Sequence, residues 1–506
     1  MALVRAGAVS DAVSVGGRAR VSSEPQPAPR AVGRNAPTAL DHALTFAAAG
    51  VWTAVIAVLA VWRHEQFVSH RLDLGNMVQA VWGTTQGSFL EQTDAVTGEQ
   101  VVRLGAHVDP FLMLLAPLWW VLPGPQMLII AQAAALALGV FPVVSLSLKY
   151  VHSRLAALLL GAWYLVFPWI VWNAFDEVHP VTFAIPLLLY AIWFLDEHRL
   201  VPFAVFAALA MSTGELMGLA IAGLGVWYAM RYRRVRAGLG IALAGVAWTA
   251  ICIAVIMPAF TDGQPRHNTL FESVGGSPMG LLRTVFTDPS TIVAQVTTFD
   301  DFRYVVLLLL PTAFLALLQP AILVVALPQL AVNLLSDGPT TSQPMSHYIA
   351  AIVPALVVAS IMAVGRAPER LRVVLAGTAL ALSLLILVGY PPKPGAHGFI
   401  FPEPPSAARR AAMREALALV PSDVPLTATN RLGAHLSARH VIQLFPNDRG
   451  AKWAVLDARD VWPQPTGTLA DGRRFAARLD RFADDPAWRL IYERADVRVY
   501  QRAARP

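Results

Sequence analysis

The sequence predicts a polytopic α-helical membrane protein of about eleven spans, with a small C-terminal α/β domain on its exterior side. Three observations lead there. Hydrophobic residues make up 56% of the 506 and charged residues only 14%, with a mean hydropathy of +0.53, whereas soluble domains are about a quarter charged. The apolar runs recur at close to the roughly 20 residues that a helix needs to cross a bilayer, longer than the alternating strands of a β-barrel. After Tyr390 the composition turns soluble behind the proline-rich stretches PPKPG and FPEPP. The net charge of +6 and pI near 9.7 do not indicate nucleic acid. Much of the positive charge lies in short loops and the N-terminal tail, where it orients a membrane chain. Cys252 is the single cysteine, so no intramolecular disulfide forms and exterior parts stand on packing.

Residues 1–40 hold Arg5, Arg18, Arg20, Arg30 and Arg34 among Ala, Gly, Ser and Pro, and read as a disordered cytosolic tail. The membrane domain, 41–390, opens with a span over 43–62 whose N-terminal end the positive-inside rule keeps in the cytosol. The loop 64–126 is then exterior. Its apolar run 111–122 contains Trp119 and Trp120 and stops at Pro123-Gly124-Pro125; it reads as an interfacial helix, with 127–148 as the second span. That reading puts Lys149, Arg154, Arg199, Arg231, Arg233, Arg234 and Arg236 inside. Further spans fall at 155–172, 181–195, 201–212, 215–230 and 238–258. The pair flanking Ser212-Thr213-Gly214-Glu215 is short and predicts a hairpin or broken helix turning at the exterior. A polar exterior segment, 261–301, precedes spans at 304–318, 321–335, 348–364 and 373–388. Residues 391–405 form a proline-rich linker and 406–506 an exterior α/β domain. In that domain helices are expected at 407–419 and 471–481, and strands near 425–429, 441–445, 454–457, 489–492 and 497–501.

Polar chemistry begins in the stretch 71–110. Asp73 opens a run whose apolar residues Leu74, Met77, Val78, Val81 and Trp82 recur at helical spacing. Its carboxylate either serves a helix dipole or acts as a general base on an acceptor hydroxyl. The same topology brings to the exterior His107 with Asp109, then Asp176, Glu177 and His179, then Glu215, then His347 with Tyr348, with almost nothing comparable at the opposite end. Asp109-Pro110 fits a helix start, which leaves His107 unexplained. The pairs His107/Asp109 and Glu177/His179 can together offer four ligands, and histidine favours Zn²⁺ or Mn²⁺ over Mg²⁺. The alternative is a proton-sharing, hydrogen-bonded cluster that fixes helix ends. Asp176, Glu215, His347 and Tyr348 are accessory polar candidates, with Glu215 at the break of a discontinuous helix. Arg266 is a candidate partner for a phosphate. The sequence contains no Walker motif, dinucleotide fingerprint or serine nucleophile elbow.

The stretches LDLGNMVQAVWGTTQG, HVDPFLMLLAPLW, WNAFDEVHP with STGE, and SHYIAAIVPAL resemble the bacterial membrane protein family called domain of unknown function 2079, over about residues 45–460. That family is in turn similar to the GT-C glycosyltransferases, multi-span enzymes that keep an acidic residue in the first exterior loop and use polyprenyl-phosphate sugars. The resemblance implies a GT-C-like fold in a bacterial plasma membrane. It places Asp73 where those enzymes keep their acidic residue. The implied activity moves a sugar from a polyprenyl-phosphate donor in the membrane to a cell-envelope glycan, lipid or protein. A metal on His107, Asp109, Glu177 and His179, or an arginine such as Arg266, would neutralise the leaving phosphate, and the C-terminal domain would help bind the acceptor. The rival readings are a lipid or solute transporter, favoured by mid-membrane polar clusters and inverted repeats that the sequence does not display, and a non-catalytic scaffold.

Overall fold

Thr38 starts the first helix through a capping box. Its hydroxyl accepts the Asp41 N–H at 3.3 Å while the Asp41 carboxylate accepts the Thr38 N–H at 2.7 Å. The helix runs Ala39–Glu65 over 27 residues, about 40 Å at 1.5 Å per residue, enough for a hydrocarbon core of roughly 30 Å. The computed structural model describes residues 37–261, 268–338, 340–389, 404–461 and 469–503. The expected tail and linker fall almost wholly outside these. Among the described residues five helices are long and apolar enough to cross a membrane: Ala39–Glu65, Pro125–Val151, Arg154–Phe175, Val235–Ala259 and Glu369–Gly389. Shorter apolar helices run Pro110–Trp119, Pro180–Asp196, Leu200–Met211 and Val353–Arg366. The first of these is the expected interfacial run, and by length alone it does not cross.

Several expected spans are not continuous helices: 155–172 is interrupted at Val166 and Phe167, ahead of Pro168, and two more are broken further. Over 304–318, the helix Phe299–Leu309 gives way to a 3-10 turn, Leu310–Thr312, and Ala313 and Phe314 then take left-handed backbone angles. Pro311 accounts for the break, because it lacks an N–H and crowds the carbonyl four residues earlier. The Pro311 carbonyl accepts Trp163 Nε1–H at 2.9 Å, so the broken turn is satisfied within the protein. Over 321–335, Pro320–Leu323 and Leu327–Leu335 are separate helices, each with a proline in its first turn. The helices Met217–Tyr232 and Val235–Ile251 approach through glycine. A Cβ on Gly218 would lie 2.3 Å from the Gly245 carbonyl, and one on Gly225 2.4 Å from that of Gly238. Small residues at such crossings let backbones touch where lipid removes the hydrophobic drive for association.

At one end of the bundle, a π-helical turn, Arg71–Gly75, leads into the helix Asn76–Thr85 and then into the antiparallel hairpin β1 (Glu91–Thr93) and β2 (Gln100–Val102). The C-terminal domain contributes β3 (Leu426–Ala428), β4 (Ile442–Leu444), β5 (Trp453–Asp457), β6 (Trp488–Arg494) and β7 (Val497–Arg502), ordered β4-β3-β5-β7-β6. β3 runs parallel to β4 and β5, while β7 is antiparallel to β5 and β6. The helix Ala407–Leu419 buries Ala412, Met413 and Ala416 against Leu426, Val455 and Val499.

This domain is seated directly on the 71–100 loop. Arg71 is fully buried, with Nη2 at 3.0 Å from Gln79 Oε1, 2.9 Å from the Thr93 carbonyl and 3.2 Å from the Ile442 carbonyl. Gln79 Nε2 donates to the His440 carbonyl at 2.8 Å, and the Leu72 N–H donates to Asn430 Oδ1 at 3.2 Å. Gly75 and Gly433 make the approach possible: a Cβ on the first would lie 2.6 Å from Ser437 Oγ, and on the second 2.8 Å from Arg71 Cβ. At the far end of the bundle, contrary to expectation, a second polar group forms. Asp196, buried there, accepts from Lys149, Tyr150 and Tyr232.

Candidate functional site

Two amides inside apolar helices assemble the site. Gln132 Nε2 donates to the carbonyls of Asn173 at 3.2 Å and Glu177 at 3.0 Å, while its Oε1 accepts the His179 N–H at 3.1 Å. Asn173 Nδ2 reaches the carbonyls of Met345 at 3.5 Å and Ser346 at 3.4 Å. The 176–179 loop is thereby held against the loop that carries His347. The rings of His179 and His347 stack at 3.8 Å, and His347 lies 4.3 Å from the Tyr348 ring.

Asp73 sits inside the π-turn, not at a helix N-cap, and its carboxylate makes no hydrogen bond among the described residues. It makes no capping bond, and it lies in the first turn ahead of the helix Asn76–Thr85, where its charge also faces the helix dipole. A π-turn is itself a local departure from helical bonding that recurs at functional sites. Beside it, Glu177 is fully engaged: Oε1 pairs with His70 Nδ1 at 2.5 Å, and Oε2 accepts the N–H groups of His70 at 3.0 Å and Leu74 at 2.9 Å. Burial works against the Glu177 charge, but the His70 pairing and the nearby Arg63 outweigh it and hold the carboxyl below its usual range. Asp73 has the opposite balance. Burial, then repulsion from Glu177, push it up to about 7, against the pull of His70, Arg103 and Arg63. Asp176 is likewise pushed up to about 7, by burial and then by the Asp73 charge.

Next to these carboxylates a small open-sided pocket of about 100 Å³ is walled by Arg103, His107, His179, Glu215, Gln329 and Tyr348, with His347 and Asp109. Arg103 is its guanidinium. Nε and Nη2 hold Asp109 at 2.7 to 3.0 Å, and Nη1 lies 3.3 Å from Gln92 Oε1. Asp73 lies outside the pocket lining, within electrostatic reach of its residues Tyr348 and Arg103. Glu215 accepts the Val108 N–H at 3.1 Å and lies 3.5 Å from His107 Nδ1. Burial opposes its charge, yet His107 and the Val108 N–H pull its carboxyl down to about 2. Burial drives His179 down to about 3, assisted by Arg103 and His107, so its imidazole is neutral.

Most of the sequence candidates thus converge, but not as the expected four-ligand centre. Asp109 makes no capping bond and is spent on Arg103, Glu177 on His70, and His107 on Glu215; His179 belongs with Asp176, at 3.9 Å, and His347. Arg266 lies outside the described residues. His70, Arg63, Arg103, Gln132 and Asn173 were not singled out from sequence. For the last two the available signal was an amide inside an otherwise apolar run, which must find partners in a membrane domain.

Residues 63–466 match the family described as a predicted membrane protein, DUF2079. The chain belongs to this family. No curated protein matches it. In structure, this DUF2079 member is similar to ArnT from Cupriavidus metallidurans bound to undecaprenyl phosphate, at 13% identity over 90% of this chain and 98% of that one, with a TM-score of 0.50. The apo form of the same protein gives 13% identity, the same coverage and a TM-score of 0.46. At this identity the likeness concerns the fold, and the family member has an ArnT-like fold with a small C-terminal sheet domain.

Proposed function

We propose that this chain is a membrane glycosyltransferase that moves a sugar from a polyprenyl-phosphate donor to a cell-envelope acceptor, with Asp73 as general base. The observation that carries the reading is Asp73 itself: a carboxylate without a hydrogen-bond partner among the described residues, its pKa raised to about 7 by burial and by Glu177, at the end of an apolar bundle that also holds the pocket walled by Arg103, His107 and Glu215. A general base works best when its pKa lies near the operating pH. Asp73 takes the acceptor hydroxyl proton as the oxygen bonds to the anomeric carbon, and the bond from that carbon to phosphate breaks with its electron pair leaving on the lipid phosphate. Arg103 stabilises that leaving charge, taking the role first expected of Arg266. The sugar inverts at the anomeric carbon because attack and departure occur on opposite sides.

The ArnT-like fold supports a lipid-phosphate ligand, since the ArnT structure is bound to undecaprenyl phosphate. The topology that suits this chemistry keeps the N-terminal end of the first helix in the cytosol and the C-terminal domain on the exterior of a bacterial plasma membrane. There the domain roofs the site and contributes to acceptor binding. A divalent metal, Zn²⁺ or Mn²⁺, would assist departure of the phosphate. The test is transfer of labelled sugar from a panel of polyprenyl-phosphate donors to cell-envelope acceptors by the purified protein. Transfer from at least one donor supports the reading; donor binding without transfer to any acceptor moves the lipid transporter ahead.

A further inference from the structure

We infer that Asp176, His179 and His347 form a divalent-metal site of two imidazoles and one carboxylate on the pocket wall. Their ligand atoms all lie within 4.8 Å of one another, His179 Nε2 is 3.9 Å from Asp176 Oδ2, and the two imidazoles stack at 3.8 Å. A tetrahedral zinc with bonds of about 2.0–2.1 Å separates its ligands by about 3.3 Å, so the ligand atoms must close by about an ångström and the two stacked rings must turn until their planes meet at the ion. Neither imidazole makes a ring hydrogen bond among the described residues. Gln132 and Asn173 fix the backbone of the loops that present the two rings.

The rival cluster, His70, Asp73 and Glu177, is also close enough to share an ion. It is the weaker site. Both Glu177 oxygens and His70 Nδ1 are already hydrogen-bonded, so a metal there would have to break those bonds first. Three ligands with His179 and His347 open to the pocket leave a coordination position for an outside oxygen, the pattern of a catalytic rather than a structural centre. Two histidines favour Zn²⁺, Mn²⁺ or Fe²⁺ over Mg²⁺ and Ca²⁺. The role of the ion in neutralising a leaving phosphate rests on the proposed function; its binding does not.

The experiment is metal analysis of the full-length protein, purified without a histidine tag, together with Co²⁺ loading followed by visible absorption. About one divalent ion per chain is expected. Affinity should fall at least about tenfold in His347→Ala and vanish in the His179→Ala/His347→Ala double variant, whereas His107→Ala keeps the ion. A thermal melt confirms that each variant is folded. Absence of binding for Zn²⁺, Mn²⁺ and Co²⁺ overturns the inference, and so does an ion that survives the double variant but is lost in His70→Ala. Binding is scored without reference to transfer, so a protein that holds the ion yet transfers no sugar retains this site and loses the proposed activity.

Discussion

Asp73 departs from its ordinary chemistry because of what surrounds it. Burial and the charge of Glu177 hold its carboxyl near 7, while Glu177, tied to His70, stays ionised. Two carboxylates whose environments separate their pKa values divide the labour of a site: one fixed charge and one that moves a proton. The sign of the pH dependence follows. The base acts only when deprotonated, so kcat/KM for transfer should rise with pH through about 7 and level off above. The Arg103 charge lowers the Asp73 value; removing it in Arg103→Gln should move the rise to higher pH. A profile unmoved by that change would remove Arg103 from the electrostatics of the base. The sequence offered Asp73 as either cap or base. It could not decide, because the deciding partner, Glu177, is 107 residues away from His70.

Among elements, the π-turn Arg71–Gly75 is the joint between the membrane bundle and the C-terminal domain. Gly75 faces Ser437 and Gly433 faces Arg71 at separations that leave no room for a Cβ. In Gly75→Leu the domain should lift from the turn at a cost of about 1–3 kcal/mol. The Leu72 N–H, now bonded to Asn430, should then exchange with solvent faster, as read by hydrogen exchange. Unchanged exchange there would show that the domain does not hold the turn. Element existence was largely readable: the five strands and two longer helices of the C-terminal domain fall within a few residues of the expected positions, because turn residues and apolar alternation specify them locally, while the short helix Asn430–His435 was not expected. Continuity was not. The prolines at 311 and 328 were visible in runs read as whole spans, but a break is tolerable only where another helix satisfies the freed carbonyl. Trp163 does this for Pro311, 148 residues away in sequence.

For the whole molecule, composition was sufficient to identify an apolar helical bundle with a soluble domain at its end, since burial in lipid leaves a mark on every residue. It did not reveal that the far end is polar too, because Lys149, Tyr150, Asp196 and Tyr232 lie on different helices and only their packing joins them. Nor did spacing foresee that His179 would meet His347 instead of His107; that pairing is set by Asn173 and Gln132. What the fold achieves is the convergence of distant polar residues at one end, beneath a domain locked onto the same loop. The account stands on Asp73 acting as a base in that convergence. Its most direct test is sugar transfer from a polyprenyl-phosphate donor by wild type and by Asp73→Asn, each verified to be folded and to bind donor. The account predicts a loss of about 10²–10⁴-fold in kcat with donor affinity retained; transfer by Asp73→Asn at the wild-type rate would contradict it.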